Sequence, residues 1–350
     1  MVPNLRFLKF NQNYETLQLK NTLKIKSGKD QKQVEVENGI YNIYGTGGII
    51  GHTNTFLYDK ESVGIGRKGT IDKPVYFDQP FWTVDTLFYS EIYEGFIPKY
   101  IFYLFQTINW KKYNTSTGVP SLTSSSIENI EKSFPCYDEQ LKVANFLTMI
   151  DMRIETQIKI IDDYNSLKMG IYNCMFKENY ADYKLKQLAY IVKGDQINND
   201  QLLSNGSYYM MNGGTSPSGY LDSYNVSENT ISISEGGNSC GYVQFNSSPF
   251  WSGGHCYTIQ NVNSTLIENK YLYHYLKHKE KEIMNLRIGT GLPNIQKKDL
   301  ENFTIFVPSL LIQRKNLALF EMLDEKICIL NEELERLEMQ KKYLLRNMFI

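Results

Sequence analysis

The sequence lacks the features of secreted, membrane-spanning and strongly charged proteins. Its five cysteines are odd in number and none forms a CxxC pair, which is typical of reduced thiols in a cytoplasm. No apolar run approaches the roughly 18 residues that a membrane span needs, and the N-terminal residues lack the apolar core of a signal peptide. The net charge of −1 excludes a globally basic nucleic-acid binder, so binding to DNA would need local basic patches. We expect a soluble, cytoplasmic protein without a membrane contact.

Signatures of catalysis are missing as well. The chain has no P-loop, no GxGxxG, no HExxH, no GxSxG and no Asn/Asp-Pro-Pro-aromatic box of amino-methylating DNA methyltransferases. His274 and His278 have helical spacing and His255 precedes Cys256, which leaves a metal site conceivable. The first half of the chain has no matching set, so ordinary structural histidines are favoured. We expect no catalytic residues, no bound cofactor and no metal.

The sequence contains two heptad seams, each a run of mostly apolar residues spaced alternately by three and four positions. Every position of the first seam recurs 173 residues later in the second, from Leu147 and Phe320 to Met175 and Met348. Even the off-pattern Lys168 has its counterpart in Lys341. Packing of each helix on a separate core is the plain alternative, but matched register favours pairing of the two helices. The helix-pairing candidates are Leu147, Ile150, Ile154, Ile161, Ile171, Phe320, Leu323, Ile327, Leu334 and Leu344.

The duplication extends through the rest of the chain, in constant order and with slowly drifting offset. The matching segments are Gly28 with Gly194, Pro80-Phe81-Trp82 with Pro249-Phe250-Trp251, Thr117-Gly118-Val119-Pro120 with Thr290-Gly291-Leu292-Pro293, Asp151 with Asp324, and Phe176 with Phe349. Since Phe10 also matches Phe176, the chain ends on the feature with which its repeat begins. A repeat that closes in this way predicts globular parts that are each flanked by both helices, with the helices antiparallel.

The pattern predicts an α+β fold in the order globular part, helix, globular part, helix. Clusters of β-branched and aromatic residues broken by Gly, Asn, Asp and Pro indicate strands, and short helices are predicted at Pro98–Thr107 and Asn269–Met284. The expected bounds are 1–136, 137–177, 178–308 and 309–350. Each seam spans roughly 40 Å at about 1.5 Å per residue.

Three kinds of segment are candidates for contact with nucleic acid. Basic, glycine-containing loops suit phosphates, amide side chains suit adenine edges, and Gly-Pro turns followed by hydroxyls or lysines suit phosphate oxygens. Ordinary solvated loops and a conformational turn before a strand are the plain alternatives. Two loop segments occupy matching places in the repeat but differ in charge, Arg67-Lys68-Gly69 and Glu235-Gly236-Gly237. Such a difference is expected if the two halves read different DNA sequences, and neutral drift of surface residues would produce it too. The candidate DNA-binding residues are Lys24, Lys26, Lys29, Arg67, Lys68, Ser121, Thr123, Lys193, Gln196, Asn198, Asn212, Arg287, Asn294, Lys297 and Lys298.

Over essentially its whole length the chain resembles the specificity subunits of Type I restriction–modification systems. The residues that carry the resemblance are Pro3-Asn4-Leu5-Arg6-Phe7, Thr117-Gly118-Val119-Pro120, Pro135 with Glu139-Gln140-Leu141-Lys142-Val143-Ala144, Asp151, Asn212-Gly213-Gly214, Ser218-Gly219-Tyr220, Phe250-Trp251-Ser252-Gly253-Gly254-His255, Gln313-Arg314-Lys315 and Asp324. The chain departs from the family pattern at Ile312, where an acidic residue is usual before Gln313.

The resemblance implies two mixed α/β target recognition domains in pseudo-two-fold tandem repeat, joined by two long antiparallel coiled-coil helices. Each domain would read one half of a bipartite site in double-stranded DNA, and the helices would set the spacing. Roughly 40 Å of seam is comparable with about 34–36 Å for one duplex turn. Family members do no chemistry themselves. They bind two DNA methyltransferase (modification) subunits and restriction/translocase subunits, so S-adenosylmethionine, ATP and Mg are expected on those partners.

Two other functions compete with this hypothesis. A protein–protein adaptor would grip two identical partners without reading DNA, and it would lack the steep salt dependence of DNA binding. A detached piece of a fused restriction–methylation enzyme would retain catalysis, for which the sequence offers no residues. The recognised bases and the spacer length do not follow from the sequence.

Overall fold

The computed structural model describes residues 2–176, 180–289, 291 and 293–350, without the side chain of Asn199. The chain forms two compact units. The first unit is Met1–Ile158 with Glu332–Ile350, and the second unit is Lys159–Asn331. Both units therefore contain residues from both halves of the sequence.

Before residue 159 the described part of the first unit is built from nine short strands and three helices, and the last part of a fourth helix, from Glu332 on, completes the unit. Its strands are β1 (Glu15–Gln18), β2 (Leu23–Ser27), β3 (Tyr41–Gly45), β4 (Gly48–Thr53), β5 (Ser62–Gly66), β6 (Val75–Phe77), β7 (Trp82–Thr83), β8 (Leu87–Ile92) and β9 (Glu131–Phe134). Its helices are α1 (Pro98–Thr107), α2 (Ser124–Glu128) and the start of α3 (Tyr137–Met175). Short 3-10 turns lie at Leu19–Asn21 and Trp110–Tyr113.

The second unit repeats this order. Its strands are β10 (Ala181–Lys184), β11 (Tyr190–Lys193), β12 (Tyr208–Met211), β13 (Gly219–Leu221), β14 (Thr230–Ser234), β15 (Val243–Asn246), β16 (Trp251–Ser252), β17 (Cys256–Gln260) and β18 (Thr304–Val307). Its helices are α4 (Leu185–Leu188), α5 (Asn269–His278), α6 (Glu280–Met284), α7 (Lys297–Glu301) and the start of α8 (Leu310–Met348). The helix predicted at Asn269–Met284 is thus divided at Lys279 into α5 and α6, and Lys177, the predicted end of the first long helix, lies outside the described residues.

Sheet topology is the same in the two units, which confirms the α+β fold of a duplicated chain. The sheets of the first unit have the strand orders β2-β8-β5-β6, β4-β3-β7 and β1-β9. The second unit has β11-β17-β14-β15, β13-β12-β16 and β10-β18. In each three-stranded sheet the last pairing is parallel, β3 with β7 and β12 with β16.

Each core is closed by the phenylalanine that directly follows a long helix. In the first unit, the buried Phe349 packs on Tyr100 of α1 with ring centroids 5.0 Å apart. In the second unit, the buried Phe176 packs on Tyr271 of α5 at 5.4 Å. Burial of one such ring contributes roughly 2 kcal/mol to stability. The matched pair explains why the sequence repeat closes on a phenylalanine.

The long helices α3 and α8 pack together, and within each unit they run antiparallel. In the first unit the Asp151 carboxylate of α3 and the Lys341 ammonium of α8 form an ion pair at 2.7 Å. Further along α3, Gln157 lines the same groove as Glu333 of α8. In the second unit Lys168 pairs with Asp324. The off-pattern lysines of the seams therefore pair with the matched aspartates.

The ten helix-pairing candidates all lie on the covered side of these helices. Six of them are buried and the other four are half-buried. The four half-buried ones are Ile154, Ile171, Ile327 and Leu334. The alternation of 3 and 4 residues keeps these side chains on one helix face, so the burial follows from the seam.

Candidate nucleic-acid interface

In both units a glycine directly follows the first strand of the four-stranded sheet, β2 or β11. It lets the chain pass close to the turn that precedes the neighbouring strand, β8 or β17. A Cβ on Gly28 would lie 2.1 Å from the Val84 carbonyl oxygen, and one on Gly194 would lie 2.3 Å from that of Ser252. Any larger residue would collide with backbone there. The segment that follows each glycine is therefore held against the turn before β8 or β17.

A second pair of glycines sets the loop after β5 and β14. Gly69 has φ 85° and Gly237 has φ 75°, a left-handed conformation that side chains rarely adopt. Their amides donate to the carbonyl oxygens of Pro120 at 2.9 Å and Pro293 at 3.0 Å. Each of these hydrogen bonds ties the loop after β5 or β14 to the proline of a Gly-x-Pro segment, and these segments lead to α2 and α7 and not to a strand. Thr290 and Leu292 of the second turn lie outside the described residues.

Arg67 and Lys68 of the first unit lie at the mouth of a pocket of about 280 Å3. Its lining residues are Ser27, Arg67, Lys68, Phe88, Ser121, Leu122, Thr123 and Ser124. Arg67 donates to the Asp85 carbonyl oxygen at 3.3 Å, with its guanidinium 5.9 Å from the Phe88 ring. The fold thereby brings four of the candidates together from segments far apart in the sequence.

The hydroxyl groups of this pocket are partly engaged. The Thr123 hydroxyl accepts the Ser126 amide at 3.0 Å and so caps α2. The Ser121 hydroxyl lies 3.3 Å from that of Thr115. Since a hydroxyl can both donate and accept, each retains some capacity to bind another group.

Lys24 and Lys26 lie on β2 and not in the basic loop that the sequence predicts; that part of the prediction is wrong. Alternation of side chains along a strand puts both lysines on the outer face, while Ile25 between them is buried. Lys26 pairs with Glu91 at 3.3 Å. Within the described part of the chain neither Lys24 nor Lys29 makes an ion pair, and both are exposed.

The equivalent place in the second unit holds a network around Glu235, in which Oε1 is hydrogen-bonded and the buried Oε2 is not. This residue is only 8% exposed, and its Oε1 accepts from Lys193 at 2.7 Å and from the Tyr257 hydroxyl at 3.0 Å. The exposed His255 lies beside it, with Nδ1 3.6 Å from Oε2. Burial, with the Glu235 carboxylate second, raises the pKa of Tyr257 well above its ordinary value, so Tyr257 remains a donor. The ion pair with Glu235 compensates the charge of Lys193, whose side chain remains 51% exposed.

Amide side chains surround this network. The Asn212 Oδ1 accepts the His255 amide at 3.1 Å, and Asn294 Oδ1 accepts from Gln296 at 2.9 Å. Gln196 is exposed and packs so closely against Gly254 that a Cβ on this glycine would lie 2.3 Å from the Gln196 Oε1. These are groups that can donate to and accept from base edges.

The remaining candidates of the second unit are dispersed. Asn198 and Arg287 are exposed without a side-chain hydrogen bond among the described residues. On α7, Lys297 pairs with Glu301 at 3.7 Å and Lys298 is exposed. The structure does not gather these four side chains around Glu235.

Three functional candidates do not follow from the sequence alone. Ser27 lines the pocket of the first unit, while Glu235 and His255 form the centre of the network in the second unit. The sequence marks Glu235 only by its charge difference from Arg67. Its position opposite Arg67 in the repeat is the signal that could have identified it.

The described residues contain no cluster of three or more potential metal-binding side chains. Among these same residues no helix combines the length and apolar character needed to cross a bilayer. His274 and His278, spaced for a shared ligand, instead contact the Tyr172 and Phe176 rings. The plain structural interpretation of these histidines is favoured.

The duplicated architecture agrees with a known family. The model of the Type I restriction modification DNA specificity domain matches residues 11–162 and, a second time, residues 177–339. The chain belongs to this family. Each specificity domain match begins in one globular part and continues into the long helix that follows it.

Curated relatives carry the same designation. A putative type I specificity subunit of Mycoplasma pneumoniae is 34% identical over 158 residues, covering 45% of this chain and 42% of the relative. The specificity subunit of the type I restriction enzyme MjaIX of Methanocaldococcus jannaschii is 24% identical over 281 residues, covering 67% of this chain and 64% of the relative. These alignments span less than two thirds of the relatives' own lengths.

Solved specificity subunits share the fold over the whole chain. The crystal structure of the Type I restriction–modification S subunit from M. genitalium has a TM-score of 0.72 at 20% identity, covering 100% of this chain and 99% of that one. A chain from a structure on complex assembly and conformational transition of the type I restriction–modification system has a TM-score of 0.60 at 13% identity, covering 97% of both. At these identities the likeness concerns the fold alone.

Proposed function

We propose that this chain is the DNA specificity subunit of a Type I restriction–modification complex. Each globular part reads one half of a bipartite site in double-stranded DNA, and the antiparallel helices set the spacing between the halves. The observation that carries the proposal is the double match to the DNA specificity domain, once in each repeat. Two similar readers in one chain suit a target with two halves.

The proposed division follows the repeat. Target recognition domain 1 comprises residues 1–136, spacer helix 1 comprises 137–177, target recognition domain 2 comprises 178–308, and spacer helix 2 comprises 309–350. The bounds of α3 and α8 support this division, since both helices have 39 residues. Equal helices are expected of a spacer whose two halves descend from one unit.

The protein acts in the cytoplasm without catalysis of its own. Two modification subunits bind to the helix ends and seam flanks and methylate adenine with S-adenosylmethionine. Restriction/translocase subunits use ATP and Mg to translocate and cleave. Family membership supports this assignment of the chemistry to partners, and the absence of catalytic motifs from the sequence agrees with it.

Methylation-sensitive sequencing tests the proposal. The chain is expressed with its candidate modification subunit in a host, and the host genome is sequenced for new methyladenine. We expect a split motif, with two short specific halves around a fixed run of unspecified bases.

The control is the modification subunit expressed alone, which should leave no such motif. If both proteins are soluble and associated yet no new methylation appears, the specificity role is contradicted, and a protein–protein adaptor becomes the better hypothesis.

A further inference from the structure

The two units place opposite charges at the same point of the same backbone frame. The Arg67 amide donates to Thr86 at 2.7 Å, and the Glu235 amide donates to His255 at 2.9 Å. The carbonyl oxygens of Arg67 and Glu235 accept the amides of Leu122 and Ile295, both at 2.9 Å. Because these bonds correspond one to one, Arg67 and Glu235 are structural equivalents.

The charge difference extends beyond this one position. Lys24, Lys29 and Lys68 of the first unit correspond to Tyr190, Asp195 and Gly236 of the second. Lys193, the counterpart of Ser27, reverses the trend, but its ammonium pairs with Glu235 at 2.7 Å. Lys297 and Lys298, the counterparts of Ser124 and Ser125, reverse it as well, and of these Lys297 pairs with Glu301 at 3.7 Å. At the place of Arg67 itself, the first unit thus has a cation where the second has a carboxylate paired with Lys193.

The cations of the first unit converge on one turn. The Lys29 amide donates to Thr83 at 2.8 Å, and the amides of Arg67 and Lys68 donate to Thr86 at 2.7 and 3.3 Å. Arg67 and Lys68 line the pocket of about 280 Å3, whose other lining residues include hydroxyl groups and no carboxylate. Two nearby acids have their own partners, since Glu91 binds Lys26 and Glu128 accepts the Ile25 amide. Asp85, in the turn itself, does not line the pocket. Cations and hydroxyls around an open pocket suit a phosphodiester oxygen.

We infer that the two domains bind DNA by different means: the Arg67–Lys68 pocket of the first holds a backbone phosphate, whereas the Glu235 network excludes phosphate from the equivalent place in the second. The inference rests on the proposed function. It adds that the two domains contribute unequally to the electrostatic part of the affinity for DNA. The second domain then depends on its amide and aromatic side chains.

Salt dependence of binding measures this division. The full chain is titrated against a fluorescein-labelled duplex of random sequence, about 30 base pairs or three helical turns long. Anisotropy gives the affinity from about 50 to about 200 mM KCl, where each phosphate contact contributes about 0.9 to the logarithmic slope. Random sequence is chosen because the electrostatic contribution does not require the target.

Three variants separate the two domains. Arg67→Gln with Lys68→Gln removes the single phosphate contact of the pocket and should lower the slope by about 1. Lys24→Gln with Lys29→Gln removes two further exposed lysines of the first unit and should lower it by up to about 2. The side chains of the second pair are exposed and make no hydrogen bond or ion pair among the described residues, so this pair keeps the test valid if the Arg67 variant fails to fold. Lys193→Gln is the matched control and should leave the slope unchanged, since Glu235 already neutralises Lys193.

The outcomes are distinguishable. A wild-type chain that binds no duplex overturns the proposed function together with the inference. A wild-type chain that binds, with Lys193→Gln lowering the slope as much as either pair, overturns the inference alone. Replacing part of the KCl by potassium phosphate at equal ionic strength should leave the affinity for the duplex unchanged. If phosphate instead displaces the duplex from the wild type, and does not do so from the Arg67→Gln, Lys68→Gln variant, the pocket binds the free ion and the inference is overturned.

Discussion

The two units have the same backbone frame and different electrostatics. Equivalent glycines, turns and sheet registers recur in both, yet a cationic pocket in one corresponds to a buried carboxylate network in the other. The helix starts differ too: Glu139 is buried against Arg6 with both oxygens bonded, at 2.8 and 2.7 Å, whereas Ile312 takes the equivalent position. The comparison teaches that the frame depends on backbone geometry, which leaves the side chains on it free to diverge.

Exchange of one globular part is the strongest test of this independence. Replacing residues 178–308 by those of a relative should change one half-site completely and leave the other unchanged, because each unit has its own core. Methylation-sensitive sequencing reads both halves in the same experiment. A change in both halves would mean that the parts do not read separately.

Matched deletion in the helices should alter the gap and neither reader. Removing Glu155–Ile161 together with Cys328–Leu334 takes one heptad from each seam and keeps both lysine–aspartate pairs. Seven residues correspond to about 10 Å, so the gap should shorten by roughly three base pairs at about 3.4 Å each. Deleting Glu155–Ile161 alone is the control and should disrupt packing. New half-site sequences after the matched deletion would argue against a spacer.

The crossing glycines should be equally intolerant in both units. Gly28→Ala and Gly194→Ala each drive a Cβ into backbone oxygens, so each should lower the free energy of unfolding by about 2–3 kcal/mol. Gly118→Ala, whose Cβ would meet nothing within 4 Å, is the control and should cost less than about 0.5 kcal/mol. Urea denaturation measures all three. A large loss in only one unit would show that the frames are not equivalent.

Acid should destabilise the second unit through His274, for which the first unit has Tyr103. Burial lowers the pKa of His274 from 6.5 to about 4, opposed by the nearby Asp324. The unfolded chain takes up this proton below its ordinary pKa, while the folded chain resists it down to about 4, so stability falls as pH drops from 6.5 towards 4. Between pH 7 and 5 the loss should be about 2 kcal/mol.

His274→Tyr copies the first unit and is the matched variant for this effect. Tyr103 donates to Asp151 at 2.7 Å, and the new tyrosine can donate to Asp324 in the same way. Urea denaturation at pH 7 and pH 5 should show a smaller difference for the variant than for the wild type. Equal differences would assign the acid sensitivity to other groups, of which His278 is the nearest.

Much of the fold follows from the sequence because its signals are periodic. The heptad seams, Leu147 to Met175 and Phe320 to Met348, lie entirely within α3 and α8 and end where these helices end. The repeat predicts that each globular part meets both helices, and the packing of Phe176 and Phe349 gives the physical reason. A residue pattern that recurs at a constant offset can be recognised even where neither copy alone has a strong helix or strand propensity.

The candidate site is predicted less completely because side-chain partners come from distant segments. Lys193 and Arg67 look alike as cations in the sequence, but only the fold places Glu235 within 2.7 Å of Lys193. The sequence favours a loop at Lys24 and Lys26 because lysine is uncommon in strands; alternation around the buried Ile25 overrides that preference. The roles proposed for all these side chains at DNA remain predictions.

The hydrogen bond from the Leu5 amide to the Asn347 carbonyl oxygen, 2.8 Å long, has an evolutionary consequence. It places Leu5, which precedes β1, beside the last turn of α8, where the second repeat meets the first. A circularly permuted gene, in which the codons for the two present ends are joined and new ends lie between the repeats, would encode the same contacts in a new order. Recombination could therefore shuffle recognition modules among such genes without inventing a new scaffold.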